Sequence, residues 1–160
     1  MAAPHHGNTG HSCYFITAST FQKQRLFQSK RMAKLFLEGL LHYRQQGKYL
    51  LHEFAVMPDH FHLLVTPLET LERALQLIKG GFSYRVKKEL NFAGEIWQPS
   101  YYDRRVRDMS EYQAFKEYIY LNPVKKGLVS AAEQYLYSSA RPEFILDASP
   151  QRLKPITVSA

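Results

Sequence analysis

The 160-residue chain predicts an α+β fold: a ferredoxin-like split βαββαβ unit, an antiparallel sheet with helices packed on it, followed by one further C-terminal helix. Three observations carry that expectation. Short aromatic and β-branched runs alternate with longer stretches whose apolar residues recur at helical spacing. Two of the short runs are joined by little more than Pro58-Asp59, as in a hairpin. The resulting order is strand, helix, strand, strand, helix, strand, helix, which is the split arrangement plus one helix.

The first strand is expected over Tyr14 to Ser19 (YFITAS). From Ser29 to Gln46 the apolar residues Met32, Leu35, Phe36, Leu40 and Tyr43 mark a helix that Gly47 can end. Lys48 to Met57 reads as the second strand and His60 to Thr66 as the third, with Pro58 pre-set for the turn between them. After Pro67 the stripe Leu71, Leu75, Ile78, Phe82, Val86, Leu90 predicts a second helix, with Lys79, Arg85, Lys87 and Lys88 on its outer face. Gly80-Gly81 weakens that helix, bending it or admitting a close neighbour. Trp97 to Val106 is expected to be an irregular edge strand because of Pro99. Ser110 and Gln113 form a capping-box pattern that opens the last helix, and Pro123 predicts an end or kink at Asn122, which then suits the cap of a short helix over Pro123 to Val129. The expected organisation is a flexible leader over 1–12, one domain over 13–140 and a tail over 141–160.

Composition narrows the function classes. Hydrophobic residues make up 45% and charged residues 22% of the chain, an ordinary globular balance. The 21 Lys and Arg against 14 Asp and Glu give a formal net charge of +7, which favours polyanions such as nucleic acid. Eleven Tyr and ten Phe also provide rings able to stack on bases. The single Cys13 allows neither an internal disulfide nor a CxxC site and fits a reducing, cytosolic setting. The opening MAAPHHGNTGHS lacks the apolar centre of a signal peptide, and no run approaches a membrane span.

Two separated runs carry the candidate chemistry. In MPDHFHLLVTP, His60 and His62 flank Phe61. Strand side chains alternate, so a face holding Phe61, Leu63 and Val65 leaves both imidazoles on the other. Asp59 stands where it can orient one ring. In YIYLNPVKKGLV, Tyr118 and Asn122 are one helical turn apart and share an edge, while Tyr120 points nearly the opposite way. Two metal ligands and a positioned tyrosine are the minimum equipment for breaking a phosphodiester through a covalent phosphotyrosine.

With these residues the chain resembles the REP-associated tyrosine transposases, a branch of the single-tyrosine HUH (His-hydrophobic-His) transposases related to insertion-sequence transposases. The resemblance runs from about Tyr14 to Ala140 and is strongest in MPDHFHLLVTP, WQPSYYDRRV, YIYLNPVKKGLV and YLYSSA. It implies that His60 and His62 are metal ligands, that Tyr118 is the nucleophile, and that Asn122 stands at the third ligand position, where insertion-sequence relatives more often carry Gln. Mixed nitrogen and oxygen donors suit Mg²⁺ or Mn²⁺, the latter tolerating imidazole better.

A free phenol ionises near pH ~10, so it needs its proton removed or its target polarised before it attacks. Attack leaves a 5′-phosphotyrosine and a free 3′-OH, and the retained phosphodiester energy lets the strand be rejoined without ATP. Arg104, Arg105, Arg107, Lys125 and Lys126 flank the site in sequence and suit a phosphate track. The expected partner is single-stranded DNA in hairpin-forming repeats, handled by a monomer or homodimer in the bacterial cytoplasm, at the nucleoid and away from membranes. Two other readings stay open from sequence: a non-catalytic hairpin-DNA-binding protein, and a metal-dependent phosphodiesterase whose nucleophile is water.

Overall fold

A computed structural model describes residues 11–151 and 153; most of the leader expected over 1–12, and the end of the tail expected over 141–160, lie outside them. The elements follow in the expected order: β1 (Cys13–Ser19), α1 (Lys30–Gln45), β2 (Tyr49–Met57), β3 (His60–Pro67), α2 (Leu71–Leu90), β4 (Tyr102–Val106) and α3 (Met109–Lys125). The strands form one sheet in the order β2-β3-β1-β4, with every neighbouring pair antiparallel. This is the split βαββαβ arrangement, with α3 added after it.

Side-chain alternation sorts the sheet into two faces. Tyr14, Ile16, Ala18, Phe54, Val56, Phe61, Leu63 and Val65 face α1 and α2 in the larger core. Cys13, Phe15, Ala55, Leu64 and Val106 face the opposite way and pack against Tyr112, Phe115 and Ile119 of α3. The sheet is therefore covered on both sides, which is why β2 and β3 read as nearly continuous apolar runs. Phe61 is 0% exposed and sits in an aromatic cluster, its ring 4.8 Å from Phe36 and 5.5 Å from Trp97 between centroids.

Local signals set the helix ends. Ser29 Oγ accepts from Met32 N–H at 3.3 Å to open α1, and Gly47 leaves it at φ +77, a conformation glycine adopts without cost. Thr70 caps α2 by accepting from Arg73 N–H at 3.0 Å. Asp108, not Ser110, caps α3: its carboxylate accepts from Glu111 N–H at 2.8 Å. Asp lies just outside the apolar pattern and is as good a cap as Ser, so pattern alone misplaced the boundary by two residues.

Three further expectations are corrected. Pro123 does not end α3, which continues to Lys125, and the expected short helix from Pro123 to Val129 does not form. Proline removes one amide from the ladder, but the last turn is closed by Lys126 N–H donating to Asn122 O at 3.0 Å and Leu128 N–H donating to Pro123 O at 2.9 Å. The fourth strand begins only at Tyr102, beyond Pro99; Trp97 contributes a single bridge to Thr20. Lys79 is not on an outer face. Its ammonium donates to Gln98 O at 3.2 Å and lies 5.7 Å from the centre of the Trp97 ring.

The late YLYSSA segment closes the sheet's free edge at β2. Val56 N–H donates to Tyr137 O at 2.8 Å, and Ser139 N–H donates to Phe54 O at 2.9 Å. Tyr135 Oη donates to Val56 O at 2.6 Å. An edge covered in this way cannot template pairing with another chain. Beyond it, Phe144 stands edge-on to Phe54 at 5.0 Å, and Asp147 accepts from Leu51 N–H and Arg44 Nε, both at 2.8 Å.

The Gly80-Gly81 pair gives a direct test of the packing. A Cβ at Gly81 would lie 2.7 Å from Tyr43 Oη on α1, whereas one at Gly80 would meet nothing within 4 Å. Gly80→Ala is expected to raise the unfolding free energy by about 0.5–1 kcal/mol and Gly81→Ala to lower it by about 1 kcal/mol or more, in urea denaturation. Equal effects would mean that the α1–α2 approach is looser than described.

Candidate active site

Because Phe61 points into the core, His60 and His62 emerge together on the α3 side of the sheet. Each ring is held by a partner at Nδ1. His60 Nδ1 lies 2.7 Å from Asp59 Oδ1. A carboxylate only accepts, so this nitrogen carries the proton and Nε2 presents a lone pair. His62 Nδ1 lies 2.8 Å from Thr17 Oγ1, and a hydroxyl serves either tautomer. The two Nε2 atoms converge to 3.1 Å.

The turn carrying these residues is bolted to the segment after β1. Thr20 N–H donates to Asp59 O at 3.0 Å and Phe27 N–H donates to Pro58 O at 3.0 Å. Thr20 Oγ1 also reaches Asp59 O at 3.1 Å.

Tyr118 and Asn122 project from α3 onto the same spot. The Tyr118 ring stands edge-on to His62 at 5.2 Å and to Phe15 at 5.9 Å, yet Tyr118 is 43% exposed, so a bound strand can reach it. Asn122 is 4% exposed, and its Oδ1 is a buried acceptor without a hydrogen-bond donor. Such an atom costs about 1–3 kcal/mol unless something occupies it.

The other tyrosine of the motif is differently placed. Tyr120 Oη donates to Ser139 O at 3.4 Å, and burial pushes its phenol above the ordinary range. Cys13 is equally unsuited to nucleophilic work, since burial pushes its thiol up to about 12.

The electrostatics keep the imidazoles neutral. Burial lowers His62 to about 3, with His60 adding to the shift and the nearby Asn122 amide opposing it. Burial also lowers His60, against the pull of Asp59. Neutral imidazole is the form that binds metal.

The donor set fits one divalent ion. The two Nε2 atoms converge to 3.1 Å beside an Asn122 oxygen that lacks a donor, and neutral imidazole and amide oxygen are both groups that bind divalent ions. Among the described residues no three His, Cys, Asp or Glu side chains cluster, so the amide oxygen of Asn122 is the available third donor.

The expected basic track divides. Lys126 joins Lys23 and Arg25 around a cleft of about 270 Å³ that His60 also lines. Lys125 is exposed at the end of α3. Arg104 pairs in register with Phe15 and so lies on the site face, whereas Arg105 pairs with Tyr14 and faces the other way. Arg104 and Arg107 both bind Glu111, at 3.0 and 2.9 Å, which leaves them partly neutralised.

Sequence reading missed Thr17, Lys23 and Arg25. Thr17 was findable from alternation with Phe15 on β1. Lys23 and Arg25 reach the site through a loop whose path is purely tertiary.

Among the described residues no helix is long and apolar enough to cross a membrane. A family described as IS200-like transposase matches residues 10–122. A REP-associated tyrosine transposase of Escherichia coli (strain K12) is 25% identical over 112 residues, covering 66% of this chain and 63% of that protein. The chain thus matches less than two thirds of the length of this curated relative. The structure of a REP-associated tyrosine transposase bound to a REP hairpin superposes with a TM-score of 0.71 at 18% identity, over 99% of this chain and 100% of that one.

The buried neutral rings predict an acid-sensitive fold. His52, also buried, is lowered like His60 and His62. The unfolded chain therefore binds more protons than the folded one as pH falls below about 6.5, and stability falls with it. In metal-free buffer the urea midpoint is expected to be lower at about pH 5 than at about pH 7.5, and His62→Gln is expected to reduce that difference. A midpoint independent of pH across this interval would contradict neutral burial.

Proposed function

The chain belongs to the IS200-like transposase family, and from that premise we propose that it cuts and rejoins single-stranded DNA through a covalent 5′-phosphotyrosine on Tyr118. The observation that carries this reading is the convergence of an exposed tyrosine on two imidazoles whose Nε2 atoms are 3.1 Å apart. A hydrolase using water has no need of a phenol at that position. A passive DNA binder has no need of two neutral imidazoles beside a buried amide oxygen that lacks a donor.

His60, His62 and Asn122 would hold Mg²⁺ or Mn²⁺, which when bound supplies Lewis-acid polarisation of the scissile phosphate. The chain's own groups do the rest. Tyr118 Oη forms a bond to phosphorus as the bond to the 3′ oxygen breaks, and the proton lost by the phenol is balanced by the one gained by the departing 3′-OH. Asp59 and Thr17 hold the two rings in orientation. Phe15 packs against both the His62 and the Tyr118 rings, so ligand and nucleophile keep a fixed relation. Lys23, Arg25 and Lys126 offer cationic contacts for the strand's phosphates beside His60.

An exposed tyrosine at the sheet surface is reached more easily by a flexible single strand than by a duplex. The partner expected is DNA of that kind, in hairpin-forming repeats like the one bound to the structural relative.

Incubation with single-stranded hairpin oligonucleotides and Mn²⁺ is expected to give a denaturation-resistant protein–DNA adduct. Tyr118→Phe should abolish the adduct while single-stranded DNA binding survives, and Tyr120→Phe should retain it. Adduct formation by Tyr118→Phe would refute the assignment, and cleavage without any adduct would favour water as nucleophile.

A further inference from the structure

The site opens, on the side away from the basic cleft, into a second cleft of different chemistry. It holds about 500 Å³ and is lined by Phe15, Thr17, Tyr102, Ala114, Phe115 and Tyr118, a volume in the range of pockets that hold small planar ligands. Phe15, itself buried, forms part of its wall, with Phe115 stacked on it at 4.4 Å and 11°. Tyr102 and Tyr118 both stand nearly perpendicular to Phe15, at 6.3 Å and 72° and at 5.9 Å and 81°. Tyr102 is 54% exposed on the outermost strand, so its ring is open to a ligand entering the cleft.

Register ties this cleft to the candidate active site. Thr17 pairs with His62 on one side and with Tyr102 on the other. The row His62, Thr17, Tyr102 therefore crosses the sheet on the α3 face. Beyond the histidines, at the β2–β3 turn, stand Lys23, Arg25 and Lys126. Moving across the site, one meets cations, then two imidazoles and a phenol, then aromatic faces. A single nucleic-acid strand presents matching chemistry in one molecule: anionic phosphates and flat apolar bases. In a duplex those base faces are already stacked and covered.

We propose that the aromatic cleft walled by Tyr102 and Tyr118 receives one unpaired nucleobase of the strand whose phosphate lies at Tyr118. The base stacks on Tyr102, and its neighbouring phosphate is thereby set against the histidine pair. Tyr102 is a positioning residue: it touches the nucleotide without touching the bond that breaks. Stacking accepts any base, so this contact holds the strand without reading its sequence. The proposal rests on the strand-cutting reading for the identity of the ligand, but its test is equilibrium binding and needs no cleavage.

The test compares two probes of equal charge and length, a single-stranded oligothymidylate and the same sugar–phosphate strand without bases. Stacking on one aromatic ring is worth roughly 5- to 150-fold in affinity. The full-length protein should prefer oligothymidylate by a factor in that range. Tyr102→Ala and Tyr102→Leu should lose most of the preference while binding the abasic strand as the wild type does; Tyr102→Phe should keep it. Because Tyr102 is exposed on an edge strand, Leu provides a second reading if Ala perturbs the fold. A wild-type preference retained by both Tyr102→Ala and Tyr102→Leu would overturn the proposal, as would equal wild-type affinity for the two probes.

Failure of the two readings is separable. A protein that forms no adduct at Tyr118 yet shows a Tyr102-dependent preference for bases overturns the cutting mechanism and supports the cleft. One that forms the adduct without that preference overturns the cleft alone.

Discussion

Burying the Phe61 ring between Phe36 and Trp97 fixes which face of β3 each of its neighbours must occupy. Full burial of a phenylalanine is worth about 1.5–3 kcal/mol, and a one-residue slip in register would turn it out of this cluster to the α3 face while driving both histidines into the aromatic core. The hydrophobic residue between the histidines thus acts as the register pin for the site. Asp59 and Thr17 then have only to fix ring rotation, which they do through the two Nδ1 atoms. The Nε2 atoms are left facing each other.

The second half of the site depends on the sheet having two covered faces. The split arrangement places α1 and α2 on one side, and α3 arrives on the other through its own apolar stripe of Tyr112, Phe115 and Ile119. That packing brings Tyr118 and Asn122 over the histidines from a region more than fifty residues away in sequence. Phe15 is the shared neighbour. It contacts His62, Phe115, Tyr102 and Tyr118, so one core residue links ligand, helix, nucleophile and the outer aromatic wall. The buried Asn122 oxygen lacks a hydrogen-bond donor, a cost to folding as it stands.

Much of this was legible in the sequence, for identifiable reasons. Strand order, helix order and the faces of His60, His62, Tyr118 and Asn122 follow from periods of two and 3.6, which are local properties. What failed was either a boundary or a tertiary contact. Asp108 replaced Ser110 as cap because several residue types compete for that role. Pro123 was accommodated because it removes only one amide from the ladder, while the turn after it is closed by Lys126 N–H on Asn122 O and Leu128 N–H on Pro123 O. Lys79 folded onto Trp97 because a long aliphatic stem gains from an aromatic face. The split of Arg104 from Arg105 follows from strand alternation and was readable once Tyr102 to Val106 was taken strictly as a strand. The contributions of Lys23 and Arg25 were not readable, since no periodic signal reports where an irregular loop goes.

On the reading proposed above, Phe61 delivers two neutral imidazoles to one shared ion beside Tyr118. Electron–nuclear spectroscopy of the Mn²⁺-loaded protein tests it most directly, because each bound imidazole adds a resolved nitrogen coupling to the ion's signal. Two such couplings are expected in the wild type, and one in each of His60→Ala and His62→Ala. A bound Mn²⁺ that shows no nitrogen coupling, or couplings unchanged by either substitution, would contradict the shared-ion site.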